Sequence, residues 1–259
     1  MAPTPDVSLW SGVFLFVAGL AAGTVDAVAG GGGLITLPAM LGVGLPVPLA
    51  LGTNKLGSVF GTASASWSFA RRGLVDLREC KLGIACSLVG AGLGAVVVRL
   101  IDPSLLGRLI PWLLAAIITY FMLRPKLGDT DRHQRMGATP FYGLFGLGLG
   151  FYDGVFGPGA GSFWTIAFVA LLGYNFVKAA AHTKVMNLAS NLGALVLFAL
   201  NGSVVLVPAL AIGAGQLIGG RYGAHLAMTR GARFIRPVFL TMAALVALKL
   251  IYASVTRTP

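Results

Sequence analysis

Long apolar runs fill almost the whole sequence, and short polar stretches or glycine- and proline-containing breaks separate them. A helix needs roughly 20 apolar residues to cross a lipid bilayer. In the first half, the runs predict membrane segments at residues 8–29, 33–48, 53–70, 81–99 and 105–123. In the second half, they predict segments at residues 140–156, 160–176, 180–200, 204–227 and 234–255. The pattern therefore predicts an all-α polytopic membrane protein, since a β-barrel would show short alternating segments instead.

The most polar stretch of the chain, residues 124–139, divides the sequence into two parts. We predict a first transmembrane repeat at residues 1–123, a polar cytoplasmic linker at 124–139 and a second transmembrane repeat at 140–259. In each repeat, the second segment is short and begins at a glycine-rich break. Irregular backbone is tolerated at membrane depth only where it faces a cavity or other protein. These short segments are therefore predicted to be half-helices or broken helices.

An aspartate, a glycine-rich break and a lysine follow one another in the same order in both halves. The first copy contains Asp26, the glycines from Gly30 to Gly33, and Lys55. The second copy contains Asp153, the break Gly157-Pro158-Gly159-Ala160-Gly161, and Lys184. The sequence interval between the two aspartates is almost equal to the interval between the two lysines. Because charged groups are expensive inside a membrane, these four charged residues are candidates for a functional site.

The number of segments in each repeat predicts how the two copies are oriented. Five segments are an odd number, so the second copy would be inverted relative to the first. Loop charge supports this prediction, because the loop at residues 71–81 carries four Lys or Arg residues and its counterpart at 201–203 carries none. The alternative is a pair of parallel four-plus-four repeats, which would follow if the short second segments are re-entrant.

The distribution of basic residues also predicts the orientation of the whole chain. With the N-terminus outside, twelve of the nineteen Lys and Arg residues lie in inside loops and three in outside segments. Cytoplasmic loops normally carry the excess of positive charge. We therefore expect a multi-pass protein whose N-terminus is periplasmic.

Composition excludes several other classes of protein. The chain of 259 residues is 56% hydrophobic and only 10% charged, and its mean hydropathy is +0.85. The net charge of +11 is explained by the basic loops, so we expect no nucleic-acid partner. Cys80 and Cys86 have no metal-ligand or redox spacing. We find no catalytic motif and expect neither an enzyme nor a cofactor or metal site.

Polar residues accompany both lysines at helical spacing. Thr53, Asn54 and Ser58 lie close to Lys55 in sequence, while Thr183, Asn187 and Asn191 follow the same pattern around Lys184. Residues three, four and seven positions apart share one face of a helix. A lipid-facing helix does not need such a stripe, so we favour a polar cavity wall. The alternative is that the long lysine side chains reach to a membrane surface.

The glycine breaks and the aspartates each admit two interpretations. A helix that begins at a break directs free N–H groups and its positive dipole end toward the middle of the membrane, which creates an anion site. The alternative is close helix packing by small residues. For Asp26 and Asp153, the alternatives are ion coupling, pairing with the lysines, and capping of the broken helix ends.

These residues resemble the motifs of the TauE/SafE family, the sulfite exporter or toluene-sulfonate uptake permease family. The similarity lies in Asp26 with its glycines, in Gly52-Thr53-Asn54-Lys55, and in the second copy from Gly150 to Gly161 with Thr183-Lys184 and Asn187. It covers nearly the whole chain. The second copy departs from the family pattern, because it has His182-Thr183-Lys184 in place of Thr-Asn-Lys and Pro158 among its glycines.

The resemblance implies a permease for small anions in a bacterial inner membrane, with sulfite, organosulfonates and related sulfur compounds as typical substrates. An anion channel, an anion-binding membrane sensor and a carrier of small carboxylates remain alternatives. Proton or cation coupling and a homodimer are both compatible with the sequence. The predicted substrate-binding residues are Lys55, Lys184, Asn54, Thr53, Ser58, Thr183, Asn187, Asn191, Gln216, Gly31, Gly32, Gly33, Gly159, Ala160 and Gly161.

Overall fold

The computed structural model describes residues 9–98, 130–131, 133–231, 233–235, 237–238 and 241. Within these residues, the fold contains eight helices of ten residues or more. They are α1 (Leu9–Ala29), α2 (Gly33–Gly42), α3 (Val47–Ala70), α4 (Lys81–Val97), α5 (Ala138–Val155), α6 (Ala160–Leu171), α7 (Phe176–Leu200) and α8 (Leu206–Arg230). The all-helical prediction is thus confirmed for the described residues. The predicted segment 105–123 and most of 234–255 lie outside them.

The two long central helices begin earlier than the sequence pattern predicted. Helix α3 begins at Val47, six residues before the predicted start, because Pro48 lies in its first turn, where a missing N–H costs no helical hydrogen bond. Helix α7 begins at Phe176 and not at residue 180, because the Asn175 side chain caps it by accepting a hydrogen bond from the Lys178 N–H.

Two glycines explain why the short helices end before their predicted limits. Helix α2 ends at Gly42 and not at residue 48, and Gly44 just beyond it has a φ of 89°. Helix α6 ends at Leu171 and not at residue 176, and Gly173 has a φ of 72°. Only glycine adopts this left-handed conformation without strain. At 1.5 Å per residue, a ten-residue helix is about 15 Å long, which is half the hydrocarbon thickness of a bilayer.

Helix α1 of the first half packs tightly against helix α8 of the second half. A Cβ atom at Gly219 would clash with the backbone of Leu20 and Thr24, and one at Gly223 would clash with Thr24. Small residues at such positions allow two helix backbones to approach closely, as is common in membrane proteins. The two helices run parallel, because Gly19 of α1 lies against Ile212 of α8, and the later residue Gly23 lies against the later residue Gln216.

Helices α4 and α5 pack against each other through contacts equivalent to those between α1 and α8. Helix α5 lies against helix α4, where a Cβ at Gly90 would clash with Leu147 and Phe151, and one at Gly94 would clash with Phe151. Gly90 and Gly94 correspond to Gly219 and Gly223 at the sequence interval of the two lysines. Leu147 and Phe151 correspond to Leu20 and Thr24 at the interval of the two aspartates. The first helix of each repeat therefore packs against the fourth helix of the other repeat.

Helices α3 and α7 lie in the centre and run in opposite directions. Gly52, near the start of α3, lies against Phe198 and Ser203 at the end of α7. Close by, the Thr53 hydroxyl accepts a hydrogen bond from the Val205 N–H at 3.0 Å. This antiparallel pair carries both lysines, so it places them in the interior between the two repeats.

The outer surface and one end of the bundle have different characters. Apolar side chains such as Trp10, Leu144 and Leu200 are exposed, and among the described helices α1 and α7 are long and apolar enough to cross a membrane. Inside one end of the bundle, Phe168 stacks on Trp164 with ring centroids 5.5 Å apart. Cys80 is fully buried nearby, and burial raises the pKa of its thiol, which fits a packing role.

Candidate functional site

Lys55 forms a buried ion pair with an aspartate of the opposite repeat. Its Nζ donates to Asp153 Oδ1 at 2.8 Å and to the Asp153 backbone carbonyl at 2.5 Å. Lys55 is 2% exposed and Asp153 is 4% exposed. The second carboxylate oxygen of Asp153 accepts a short hydrogen bond from the Ser190 hydroxyl. Both charges are therefore compensated by partners, as burial of charge requires.

Lys184 forms the second ion pair, again with the opposite repeat. Its Nζ donates to Asp26 Oδ2 at 2.8 Å, and Lys184 is only 1% exposed. The other oxygen of Asp26 accepts a hydrogen bond from the Gly32 N–H at 3.0 Å. Asp26 thus caps the broken helix end and pairs with a lysine at once, so two of its three predicted roles are combined in one side chain.

The partners are exchanged between the repeats. The lysine of the first repeat pairs with the aspartate of the second, and the lysine of the second pairs with the aspartate of the first. The sequence identified these four residues as candidates and left pairing with the lysines as one of three roles for the aspartates. In this structure, the charges of Lys55, Lys184, Asp26 and Asp153 sum to zero, because each of these two lysines is matched by one carboxylate.

The two glycine breaks meet each other between the repeats. Gly30 has a φ of 74°, and a Cβ there would lie about 2.5 Å from the backbone nitrogen of Ser162. The Ser162 hydroxyl in turn donates to the carbonyl oxygen of Ala29 at 3.1 Å. Only glycine provides both the left-handed conformation and the space for this approach. The breaks therefore join the halves at the level of the ion pairs.

A polar cavity of about 30 Å³ lies between the two breaks and the two central helices. It has room for one or two water molecules. Its walls come from both repeats. They are Asp26, Gly31, Gly32, Gly33, Asn54, Lys55, Ser58 and Thr62 from the first, and Asp153, Gly157, Ala160, Gly161, Asn187 and Asn191 from the second.

Several hydrogen-bonding groups around this cavity have no partner. The Asn187 side-chain oxygen is buried without a hydrogen bond. Within the described residues, the backbone N–H groups of Gly33 and Gly161, at the starts of α2 and α6, also have none. Unpaired buried polar groups cost free energy, so a site that keeps them is prepared for a ligand or for water.

Threonines on the two short helices fix the polar face of the central helices. The Thr36 hydroxyl makes a short hydrogen bond to the Asn54 side-chain oxygen. In the second repeat, the hydroxyls of Thr165 and Thr183 lie 3.2 Å apart. The two pairs occupy equivalent positions, separated by the same sequence interval as the two lysines. They hold each short helix against the long helix that carries its lysine.

Besides Lys184, whose ammonium is held by Asp26, four predicted ligands lie outside the cavity wall. Thr53 and Thr183 are fully buried and bond to Val205 and Thr165. Gln216 lies against Gly61 and Gly23 between α1, α3 and α8, and its side-chain nitrogen has no partner. Gly159 provides the left-handed turn before α6, with a φ of 87°. These positions serve helix packing and turn formation in this conformation.

Sequence reasoning missed three polar residues that support the site. Thr36 and Thr165 are separated by the same interval as the two lysines, so a systematic search at that spacing would have found them. Ser190, the partner of Asp153, has Gly61 at the equivalent position of the first repeat. No signal in the sequence distinguishes it from other small residues of α7.

The arrangement can be compared with known protein families. A family model described as sulfite exporter TauE/SafE matches residues 15–250, which is nearly the whole chain. The chain belongs to the TauE/SafE family. The resemblance that the repeated motifs indicated is therefore confirmed, and the chain is a transmembrane protein of a transporter family.

Relatives of this TauE/SafE protein carry transporter names. It is 44% identical over 243 residues to the probable membrane transporter protein YfcA of Escherichia coli K12, covering 94% of this chain and 90% of the relative. It is 46% identical over 242 residues to the probable membrane transporter protein ORF9 of Sinorhizobium, covering 92% and 91%. A probable membrane transporter protein of Haemophilus influenzae is 43% identical over 247 residues, covering 95% and 97%. No solved structure matches the chain.

Proposed function

We propose that this protein is a secondary transporter of small anions, with sulfur oxyanions such as sulfite and organosulfonates as its substrates. The observation that carries the proposal is the pair of exchanged ion pairs, Lys55 with Asp153 and Lys184 with Asp26, beside one polar cavity. Buried ionisable groups inside a membrane protein mark substrate or ion pathways. The family match supports sulfur oxyanions as the first class to test.

An anion would bind by replacing a carboxylate as the partner of a lysine. The Lys55 ammonium now donates to Asp153, and a negatively charged oxygen of the substrate would accept the same hydrogen bonds. The side-chain N–H₂ group of Asn187, which lines the cavity, and the free N–H groups of Gly33 and Gly161 would donate to the anion and complete the ligand shell. Hydrogen bonds between a charged donor and a charged acceptor are stronger than hydrogen bonds between neutral groups.

Anion binding would loosen the contact between the two repeats. Each ion pair connects one repeat to the other, so a substrate that takes a lysine from its aspartate removes a link between them. The cavity of about 30 Å³ is smaller than a sulfur oxyanion, so the repeats must move before one can enter. Rocking of one repeat against the other would then provide alternating access. The small size of this cavity favours the carrier mechanism over an open channel.

Displacement of an aspartate by the anion also offers a route to proton coupling. When an anion displaces Asp153 from Lys55, the carboxylate loses its cation in a site with little water. Burial of a charge that has no partner is costly. We propose that a proton enters with the anion and binds the displaced aspartate. Anion uptake in proteoliposomes that does not change with an imposed pH gradient would rule this coupling out.

We further propose that the two repeats are inverted and that the N-terminus faces the periplasm of a bacterial inner membrane. Support comes from α3 and α7, equivalent helices that run in opposite directions, and from the basic loop at 71–81. In a protein without native cysteines, a thiol at Leu77 should then be labelled from the cytoplasm and one at Leu200 from the periplasm. The reverse pattern would contradict this orientation.

The transport proposal is tested by counterflow of labelled sulfite in proteoliposomes. We expect saturable counterflow for the wild type and a loss of at least about tenfold for the double variant K55M/D153N, which removes a charged ligand without leaving a lone charge. The matched control is K81M, which removes an exposed lysine at the start of α4. Normal counterflow in the double variant would refute the site, while single-channel conductance steps would indicate a channel.

A further inference from the structure

We propose that this protein holds one anionic diacyl phospholipid at a fixed site on its outer surface, between α3, α4, α7 and α8. The site has a basic pocket for the phosphate and an apolar groove for an acyl chain. The two parts meet at Trp67, which lines both. The proposal is independent of the transported substrate.

The basic pocket collects positive charge without matching carboxylates. It has a volume of about 380 Å³ and is lined by Ser64, Trp67, Ser68, Arg71, Arg72, Arg221, His225 and Met228. Within the described residues, the three arginines form no salt bridge. Arg71 lies over the Trp67 ring with its Cζ atom 5.9 Å from the centroid. Arginine binds phosphate through a planar fork of donors, and basic pockets between membrane helices bind anionic headgroups.

The position of the pocket fits the headgroup level of a bilayer. Arg71 follows the last residue of α3, and Arg221 lies nine residues before the end of α8. Nine residues of helix span about 13 Å, so the pocket extends from the helix ends toward the hydrocarbon. Trp67 is 67% exposed at this level. Tryptophan is enriched at the membrane–water interface, where its ring has both an apolar and a polar side.

The apolar groove runs from Leu77 and Ala70, past Trp67, toward the middle of the helices. It has a volume of about 480 Å³, and its walls come from α3, α4, α7 and the turn that joins α3 to α4. Its walls include Ala63, Leu88, Val185 and Leu192. An acyl chain fills such a groove without leaving any polar group unpaired. The direction of the groove matches a lipid whose phosphate occupies the basic pocket.

One hydroxyl group of the apolar groove, at the residue before Trp67, points to a lipid in particular. Ser66 lines the groove, is 7% exposed, and its side-chain oxygen has no hydrogen-bond partner. Ser and Thr hydroxyls in helices usually bond to a carbonyl of the preceding turn, as the Ser68 hydroxyl does with Ser64 at 2.8 Å. The carbonyl oxygen of a lipid ester, which lies between the phosphate and the acyl chain, would accept the Ser66 hydrogen bond.

Native mass spectrometry of the purified full chain tests the proposal. The probe is phosphatidylglycerol, with phosphatidylcholine as the neutral comparison. We expect the wild type to retain one phosphatidylglycerol in preference to phosphatidylcholine. The variant R71Q/R72Q/R221Q should bind phosphatidylglycerol at least roughly tenfold more weakly. The control R78Q/K81Q/R233Q loses the same number of exposed charges elsewhere and should bind within about twofold of the wild type.

A second variant tests the groove without changing any charge. The substitution Ala63→Phe places a large side chain in the groove and should weaken retention of the lipid, while the melting temperature in detergent shows that the protein remains folded. Equal weakening by the control triple variant would overturn the proposal, because it would show only a surface-charge effect. Displacement of the lipid by millimolar inorganic phosphate, or a groove covered by a second copy in a lipid-free dimer, would also overturn it.

Discussion

At the scale of single residues, the central feature is a lysine that is neutralised by an aspartate from the other repeat. Lys55 and Lys184 are almost completely buried, and each has one carboxylate partner at 2.8 Å. Removal of two charges from water is costly, and their mutual attraction offsets this cost only when the hydrogen bonds are complete. A buried pair of this kind is therefore better explained by a function than by a gain in stability.

This explanation predicts how stability responds to substitution of the Lys55–Asp153 pair. Each of the single variants K55M and D153N should lose about 3–5 kcal/mol of unfolding free energy, because either leaves one buried partner unmatched. The double variant K55M/D153N should regain most of the loss. Thermal unfolding in detergent measures all three. A double variant as unstable as the sum of the single variants would show that the two residues are not coupled.

The sequence could predict these charged residues, but it could not predict which lysine pairs with which aspartate. The repeat spacing identified Asp26, Lys55, Asp153 and Lys184 as candidates, since buried charges stand out in an apolar chain. Nothing local indicates that Lys55 contacts a residue 98 positions away, because that contact depends on how the repeats pack. Gln216 likewise lies in a helix contact that only the packed structure reveals.

At the scale of helices, small residues determine which helices contact each other. The α4–α5 and α1–α8 contacts use glycines at equivalent positions, and the helix backbones touch there. Sequence could identify the helices from their apolar runs. It could not identify their early starts at Val47 and Phe176, which depend on a proline and on an asparagine cap just outside the runs.

Two glycines of α5 provide a matched test of this packing. A Cβ at Gly150 would lie 2.5 Å from the backbone carbonyl oxygen of Ser87 on α4, whereas Gly148 has no neighbour within 4 Å. The variant G150A should therefore lose about 1–3 kcal/mol of unfolding free energy through overpacking. The variant G148A should lose none. Thermal unfolding in detergent compares them, and equal stabilities would contradict the close approach of α4 and α5.

At the scale of the whole molecule, the two repeats are connected by reciprocal contacts. The first helix of each repeat packs on the fourth helix of the other, the glycine breaks meet, and the ion pairs cross between them. A change at one ion pair is therefore a change in how the repeats are joined. This arrangement gives a binding site at the interface a direct means to bias the relative position of the two repeats.

The most direct test of this account is the location of a bound anion. Selenite is a heavier analogue of sulfite, and its anomalous scattering in crystals soaked at a transport-saturating concentration would locate it. We predict a selenium peak beside Asn187, within about 4 Å of the Nζ atom of Lys55 or Lys184, because an oxygen of the anion lies between the two atoms and accepts the hydrogen bond. That lysine should be released from its aspartate. Occupied selenite sites elsewhere, with both ion pairs intact, would contradict the account.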